Sequence, residues 1–395
     1  MIGGSVGGLF AAHLLRRIGW DAAVFERAAG DLGDRGTGIG TREDLFAVMR
    51  RIGLAADASI GIEVLGRTGL DREGRVLHEL PMPAVTSAWS RIWRPLRQAL
   101  PDACYRSGRT LVRVDPQVDR VTAIFDDGSR AEGELLVAAD GLRSTVRAQF
   151  LPEIAPRYAG YVAWRGVVEA EKLPPAVRDL ALHRMVFGFP DGELMLSIPM
   201  PAPSGETQRA CHFVWFRPAS EKRLLDLCTD ASGRQHGISI PPPLIRPELI
   251  AALRRDAETL LAPQLVALVT ATPQIILQPI FDLESPRIAF DRVALIGDAA
   301  FVARPHVASG VTKAAIDAES LADAVSGCGG VVTAALRRYS EERQPYASAL
   351  VERGRHIGSY FASRGGDPRQ RSETVMREYG AAGIVQNRPI AARSG

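Results

Sequence analysis

Cysteine is scarce in this chain. Four occur in 395 residues, at Cys104, Cys211, Cys228 and Cys328, far apart and with no C-x-x-C pair. That spacing argues against a disulfide framework or a cysteine-based zinc site and fits free thiols in a reducing cytoplasm. Excess charge is also lacking. The formal net charge is +3, dispersed along the chain, which excludes a nucleic-acid footprint. Long apolar runs are missing as well. The stretch QLVALVTATPQIILQPIF is broken by proline and polar residues, so no membrane span is expected. The N-terminus has none of the basic, apolar and cleavage regions of a signal peptide, and no internal repeat is visible. A cytoplasmic globular protein remains, long enough to bury one large core or two moderate ones. The last shortage is local. Only Met1 and Ile2 precede a glycine-rich turn that normally follows a buried strand.

That turn reads GGSVGG, Gly3 to Gly8. It matches the dinucleotide fingerprint G-x-G-x-x-G except that Ser5 replaces the middle glycine. Gly3 permits a tight turn and Gly8 permits close packing of helix on strand. Backbone N–H groups at the helix start then face a pyrophosphate, and Ser5 adds a hydroxyl. The helix should end near Gly19. DAAVFER follows as a strand ending in Glu26, at the spacing where a carboxylate accepts hydrogen bonds from a ribose. The bland reading of Glu26 is a solvated strand end.

A second motif lies in VTAIFDDGSRAEGELLVAADGLRSTVR. It reads as a hairpin with an Asp-Asp-Gly turn, whose second strand, Leu135 to Ala139, delivers Asp140 and Gly141. Ser144 is placed to cap the next helix. Arg147 is either part of this motif or a solvated helix residue. The third motif is DRVALIGDAAFVARPHVASGVTKAAIDAESLADAV. A short buried strand, Val293 to Ile296, ends in Gly297-Asp298, where ligands sit in open α/β sheets. Pro305 stiffens the loop, and Gly310 opens a long helix with apolar positions at helical spacing. Singly, Asp298 could be a turn residue and Gly310 a plain helix start.

In this order the three motifs resemble the single-component FAD-dependent aromatic hydroxylases. YAGYVAWRGVV, GDAAFVARPHVASGVTKA, GTGIG and LLDLCTD are similar to the 2,6-dihydroxypyridine 3-monooxygenase branch, and the similarity extends to about residue 360. The resemblance implies an α/β fold: a discontinuous Rossmann-like FAD-binding domain, with a mixed-sheet substrate domain covering the flavin. It implies tightly but non-covalently bound FAD, with NADH or NADPH as transient co-substrate. The nucleotide end would fall to Gly3, Ser5, Val6, Gly8, Glu26, Arg27 and Leu111. Asp140 would serve both FAD and the nicotinamide nucleotide, and Asp298 would bind the ribityl chain. Ala308, Gly310, Val311 and Thr312 would face the flavin ring. Three departures from the wider family stand out. Phe301 replaces the histidine of G-D-A-A-H. In P-x-x-G-x-G-x-N, Ala308 and Thr312 replace the first glycine and the asparagine. Trp93, beside Arg94, stands where an FAD-contacting arginine is common.

The implied reaction is hydroxylation of an electron-rich ring, a hydroxypyridine in this branch, using NAD(P)H and O2 through a flavin hydroperoxide. The protein must hold negative charge on reduced flavin, exclude water and help a ring hydroxyl lose its proton. His306, in the loop between Asp298 and Gly310, is the candidate proton acceptor; the alternative is a loop histidine bonded only to backbone. RACHFVWFRP reads as a strand with His212, Val214 and Phe216 on one face and Cys211, Phe213 and Trp215 on the other. One face should line the pocket, so His212 and Trp215 are both substrate candidates. Tyr161 and Trp164 are further candidates, or core aromatics. Gly40, without a side chain, leaves room beside the flavin.

Expected domains are 1–65, 93–152 and 280–362 for FAD, 66–92 and 153–279 for substrate, and 363–395 as a polar C-terminal tail. FPDGELMLSIPM should be a hairpin in the substrate sheet, and GISIPPPLIRP a loop. Expected partners are a small aromatic substrate and O2, with no nucleic acid and no membrane; a homodimer is left open. The strand ahead of the first turn would be central and buried on both faces, and two residues are too few to fill it. A start several β-rich residues upstream of Met1 is therefore expected. Two other readings stay open: the same chemistry on a phenolic acid, and a catalytically inactive FAD-binding relative.

Overall fold

The computed structural model describes residues 1–33, 37–202, 208–362 and 368–380. One lobe is built on a short parallel sheet. From one edge its strands are Tyr105–Arg106, Val24–Phe25, Ile2, Leu136–Ala138 and Val293–Leu295, with Ala289–Phe290 added antiparallel. Met1 and Ile2 do take the central place. The Ile2 amide donates to Val137, its carbonyl accepts from Ala139, and the Met1 carbonyl accepts from Phe25. The ladder there is only one bridge long on each side.

Helix Val6–Arg17 follows the turn and is apolar almost throughout. Gly19, at φ +93, reverses the chain behind it. It packs on helix Gly310–Gly327, which is buried along most of its length. Small residues make this contact close: a Cβ on Gly7 would meet that of Ala314 at 3.5 Å.

The hairpin of the second motif differs from the sequence reading. Val121–Phe125 pairs with Arg130–Gly133 across Asp126-Asp127-Gly128, with Gly128 at φ +79. The Leu136–Ala138 segment leaves this hairpin and joins the parallel sheet instead. Gly133 and Glu134 end the polar strand. The wholly apolar run after them suits a strand buried on both faces.

The second lobe is an eight-stranded mixed sheet. Its order is Phe301–Val302, Ile275–Glu284, Arg157–Glu169, Arg209–Pro218, Leu194–Pro201, Arg184–Gly188, Gly66–Leu70 and Val76–Leu80. FPDGELMLSIPM supplies the turn and second strand of an antiparallel pair in it. Ile275–Glu284 runs past the boundary drawn at 279, and helix Trp89–Ala99 starts before the one drawn at 93. Helices Pro247–Leu260 and Pro263–Ala271 cover one face, where Trp164, Phe213 and Trp215 are buried. Helices Val332–Ala362 and Pro368–Glu378 pack on the other, against Phe187, Val214 and Phe216. The second of these helices lies in the stretch read as a polar tail. Its buried Val375 and Met376 give it an apolar side that composition alone hid. The rest of that stretch, 363–367 and 381–395, lies outside the described residues.

Candidate active site

A groove of about 280 Å3 runs over the carboxyl ends of the parallel strands. Gly3, Ser5, Glu26, Arg27, Leu111 and Asp140 line it together. Val6 and Gly8 stand behind the turn and shape it. A Cβ on Gly8 would lie 1.9 Å from the Gly3 carbonyl oxygen, and one on Gly3, at φ +106, would lie 2.3 Å from the Ala139 carbonyl oxygen. Both positions therefore demand glycine. Glu26 is buried and accepts from the amides of Gly4 at 2.7 Å and Ala28 at 2.8 Å. Its carboxylate ties the turn to the strand end while facing the groove.

Asp140 accepts from the amides of Thr145 and Val146 through Oδ2, but Oδ1 is buried without a partner. Burial pushes its carboxyl up. Ser144 caps the following helix through the Arg147 amide. Arg147 is not solvated. Its guanidinium is buried and donates to the carbonyls of Ala299 and Leu142, joining the second motif to the third.

Between the lobes lies a second cavity of about 420 Å3. Trp89 lines both cavities, so the two adjoin there. One wall is Gly40, Asp298, Ala308, Gly310 and Val311; the other is His212, Val214 and Phe216. Thr312 lies one step behind, with its hydroxyl buried and unpartnered. Asp298 opens into the cavity with its side chain exposed there. The protein packed around the turn desolvates its carboxyl and pushes it up, while Lys313 opposes the rise.

Beneath it, Asp317 accepts from the Gly297 amide, from Lys313 Nζ at 3.1 Å and from Arg343 Nε at 2.9 Å. Burial would raise Asp317, but the two cations hold it below the usual carboxylate range. Lys313 also donates to the Gly297 carbonyl at 2.7 Å. The Gly297-Asp298 turn is thus pinned from below. Neither Ser5 nor Ser309 spends its hydroxyl on capping its helix, so both helix starts present N–H groups uncapped by those side chains.

Several candidates fall elsewhere. Trp164 and Trp215 point into the helical layer, away from the cavity; Trp215 donates to Glu193 at 2.7 Å. Strand alternation forces this once His212 takes the cavity side. His306 is fully buried and does not line the cavity. Its Nε2 meets the Tyr161 hydroxyl at 2.6 Å, and its ring packs on Phe216 and Tyr379. Burial, with Arg304 nearby, pushes it well below its usual 6.5, so it is a weak proton acceptor. Tyr161 sits in the same buried pair, behind Phe216. His212 Nε2 accepts from Arg165 Nε at 3.2 Å, which assigns the proton to Nδ1. Burial and Arg165 keep it neutral.

The part that some residues play was not evident in the sequence. Trp93 donates to the Gly4 carbonyl at 2.9 Å and stacks on Trp89, so it holds the turn rather than replacing an arginine contact. Its place in the R-x-W-R-x-x-R helix is the one local signal. Arg42, Arg67, Arg165 and Tyr379 line the main cavity. They come from four distant segments, and Arg165 alone lies in a string that the sequence singled out, YAGYVAWRGVV.

The geometry fits the FAD that the resemblance implies. A glycine cradle that a Cβ would fill and an orphaned buried carboxylate oxygen at Asp140 meet a nucleotide end. A deep adjoining cavity then leads to uncapped helix N–H groups.

Comparison with known proteins agrees. A family profile described as FAD binding domain-like matches residues 158–282. The 2,6-dihydroxypyridine 3-monooxygenase of Paenarthrobacter nicotinovorans is 30% identical over 325 residues, covering 82% of this chain and 81% of that protein. The 3-amino-4-hydroxybenzoate 2-monooxygenase of Streptomyces cremeus is 28% identical over 376 residues, 91% of this chain and 86% of that one. Among solved structures, 2,6-dihydroxypyridine-3-hydroxylase from Arthrobacter nicotinovorans superposes with a TM-score of 0.86 at 27% identity, covering 93% of this chain and 94% of that one.

Proposed function

From a chain that belongs to the FAD-dependent aromatic monooxygenases, we propose an enzyme that hydroxylates an electron-rich ring, a hydroxypyridine, using NAD(P)H and O2. The observation that carries this reading is the pair of adjoining cavities. One is a nucleotide groove; the other is a deep chamber with a helix start on one wall and aromatic and apolar side chains on the other.

FAD, when bound, supplies the redox chemistry and the activation of oxygen. Gly3, Ser5, Glu26 and Arg27 would hold its nucleotide end, and Asp140 and Asp298 would lie along its length. The first N–H groups of helix Gly310–Gly327, with the helix dipole behind them, suit the negative charge of a reduced flavin. Val214, Phe216, Ile198 and Met185 give the ring an apolar, water-excluding wall. Neither buried histidine is poised to take a proton from the ring, so charge in the cavity must help that proton leave.

A phenolic acid is the second reading, favoured by the cationic lining of the chamber. The test is a panel of hydroxypyridines and hydroxybenzoates on FAD-loaded protein, following NAD(P)H oxidation and product mass together. Rapid oxidation with a product heavier by one oxygen is expected for a hydroxypyridine. Oxidation that yields only peroxide with every ring would remove the proposal.

A further inference from the structure

Three guanidinium groups line the main cavity with only neutral hydrogen-bond partners. Arg165 bonds His212, Gln278 and Thr37. Arg67 is buried and donates to the carbonyls of Met376 and Tyr379, with its Nε left as a buried donor that finds no acceptor. Arg42 donates to the carbonyls of Val307 and Gly380. Arg304, the fourth arginine at the wall, is matched by Asp282 at 2.9 Å. Among the described lining residues the one carboxylate is Asp298, and it belongs to the opposite, cofactor-side wall.

Burial drags both Arg165 and Arg67 down to about 10, and the titratable group beside them, the Tyr379 hydroxyl, is itself pushed up to about 12 and carries no charge near neutral pH. Arg42, also lowered by burial, feels Asp44 of its own helix and Tyr346. Arg67 is buried and Arg165 and Arg42 are half-buried, and cations drawn out of water without a counter-charge are costly unless something else supplies one. Arg165 uses three of its five N–H donors, so it can still bond an incoming oxygen anion.

Resting on the hydroxylase reading above, we propose that the cavity selects its ring as an anion, carrying a carboxylate or an ionised hydroxyl, and that Arg165, assisted by Arg67 and Arg42, recognises the charge. The same groups then do the work that no histidine is placed to do. By stabilising the ring oxyanion they lower the pKa of a ring hydroxyl. The proton passes to solvent.

The experiment measures ring binding to the FAD-loaded protein through perturbation of the flavin absorbance. Two arms separate the two sources of charge. In the first, 6-hydroxynicotinate is compared with 2-hydroxypyridine, the same ring without its carboxylate. In the second, the Kd of 2,6-dihydroxypyridine is followed across its own ionisation. We expect either a carboxylate preference of about tenfold or more, or a Kd that tightens by about tenfold per pH unit up to the ligand's pKa. Arg165→Gln should shrink that preference to within about twofold, and Arg165→Lys should restore part of it. The wild-type arms stand without the variants, should those fail to load FAD.

Rings that bind irrespective of charge overturn the proposal but leave the hydroxylase reading intact. So does an unchanged preference in a folded Arg165→Gln protein. If the preference is flat while Arg165→Gln moves the flavin reduction potential, the cations serve the cofactor and the proposal falls. A protein that takes FAD but binds no ring at any pH overturns both readings.

Discussion

A methyl group at Gly8 would sit 1.9 Å from the Gly3 carbonyl oxygen, a backbone atom that cannot step aside. Gly8→Ala should therefore open the turn, costing about 1–3 kcal/mol of stability and most of the FAD loading. Urea midpoints and flavin absorbance per chain check both. Ala308 is the opposite case. It holds φ +48 in the cavity wall, a left-handed conformation that glycine adopts freely. Ala308→Gly should be neutral or stabilising by up to about 1 kcal/mol, because relief of backbone strain exceeds the entropy added to the unfolded chain. Thermal midpoints of the variant report it.

His212 and His306 are both held neutral, with pKa values well below 6.5. Their contribution is complete above pH 6.5. Below it the unfolded chain binds protons that the native state refuses, so stability falls as pH drops from 6.5 towards the native values. The slope approaches about 1.4 kcal/mol per pH unit for each histidine. Urea titrations between pH 7 and 5 should show the fall, and His306→Gln should remove about half of that slope.

At the scale of elements, helix Gly310–Gly327 is fastened to the Gly297-Asp298 turn by Asp317, Lys313 and Arg343, all almost wholly buried. Asp317→Ala would leave two buried cations and the Gly297 amide without their shared acceptor. A loss of about 3–5 kcal/mol is expected, read as a lower urea midpoint. Lys313→Met paired with it should recover part of the loss, since one stranded charge is then gone. Elements also show where the sequence was misleading. The polar segment Arg130–Gly133 and the apolar Leu136–Ala138 are consecutive, and alternation alone joined the wrong one to the hairpin. Pro368–Glu378 carries too few apolar residues to announce a packed helix. Its place follows from Arg67, 309 positions earlier, reaching the Met376 carbonyl.

For the whole molecule, the groove lies on one lobe and the chamber between that lobe and the other, and the two have separate cores. A ligand spanning them binds only the folded assembly. FAD at about 100 times its Kd should add about 2.7 kcal/mol to unfolding. A thermal midpoint that does not respond to FAD, in protein stripped of it, would contradict the arrangement of Glu26, Asp140 and Asp298 around one ligand.

The chain by itself determined the turn, the spacing to Glu26, the strand before Asp298 and the helix at Gly310. Each is a local matter of backbone freedom, hydrophobic period and short-range spacing. It also determined that His212 and Trp215 face opposite ways, because a strand alternates its side chains. Which of them meets the cavity was decided only by the tertiary structure, through helices Pro247–Leu260 and Pro263–Ala271, which bury the Trp215 face, and the first lobe, which leaves a cavity against the His212 face. The same holds for the burial of His306 behind Phe216, the turn-holding bond of Trp93, and the gathering of Arg42, Arg67 and Arg165. Those are contacts between segments far apart in the chain, and spacing along a sequence carries no information about which distant surfaces will meet.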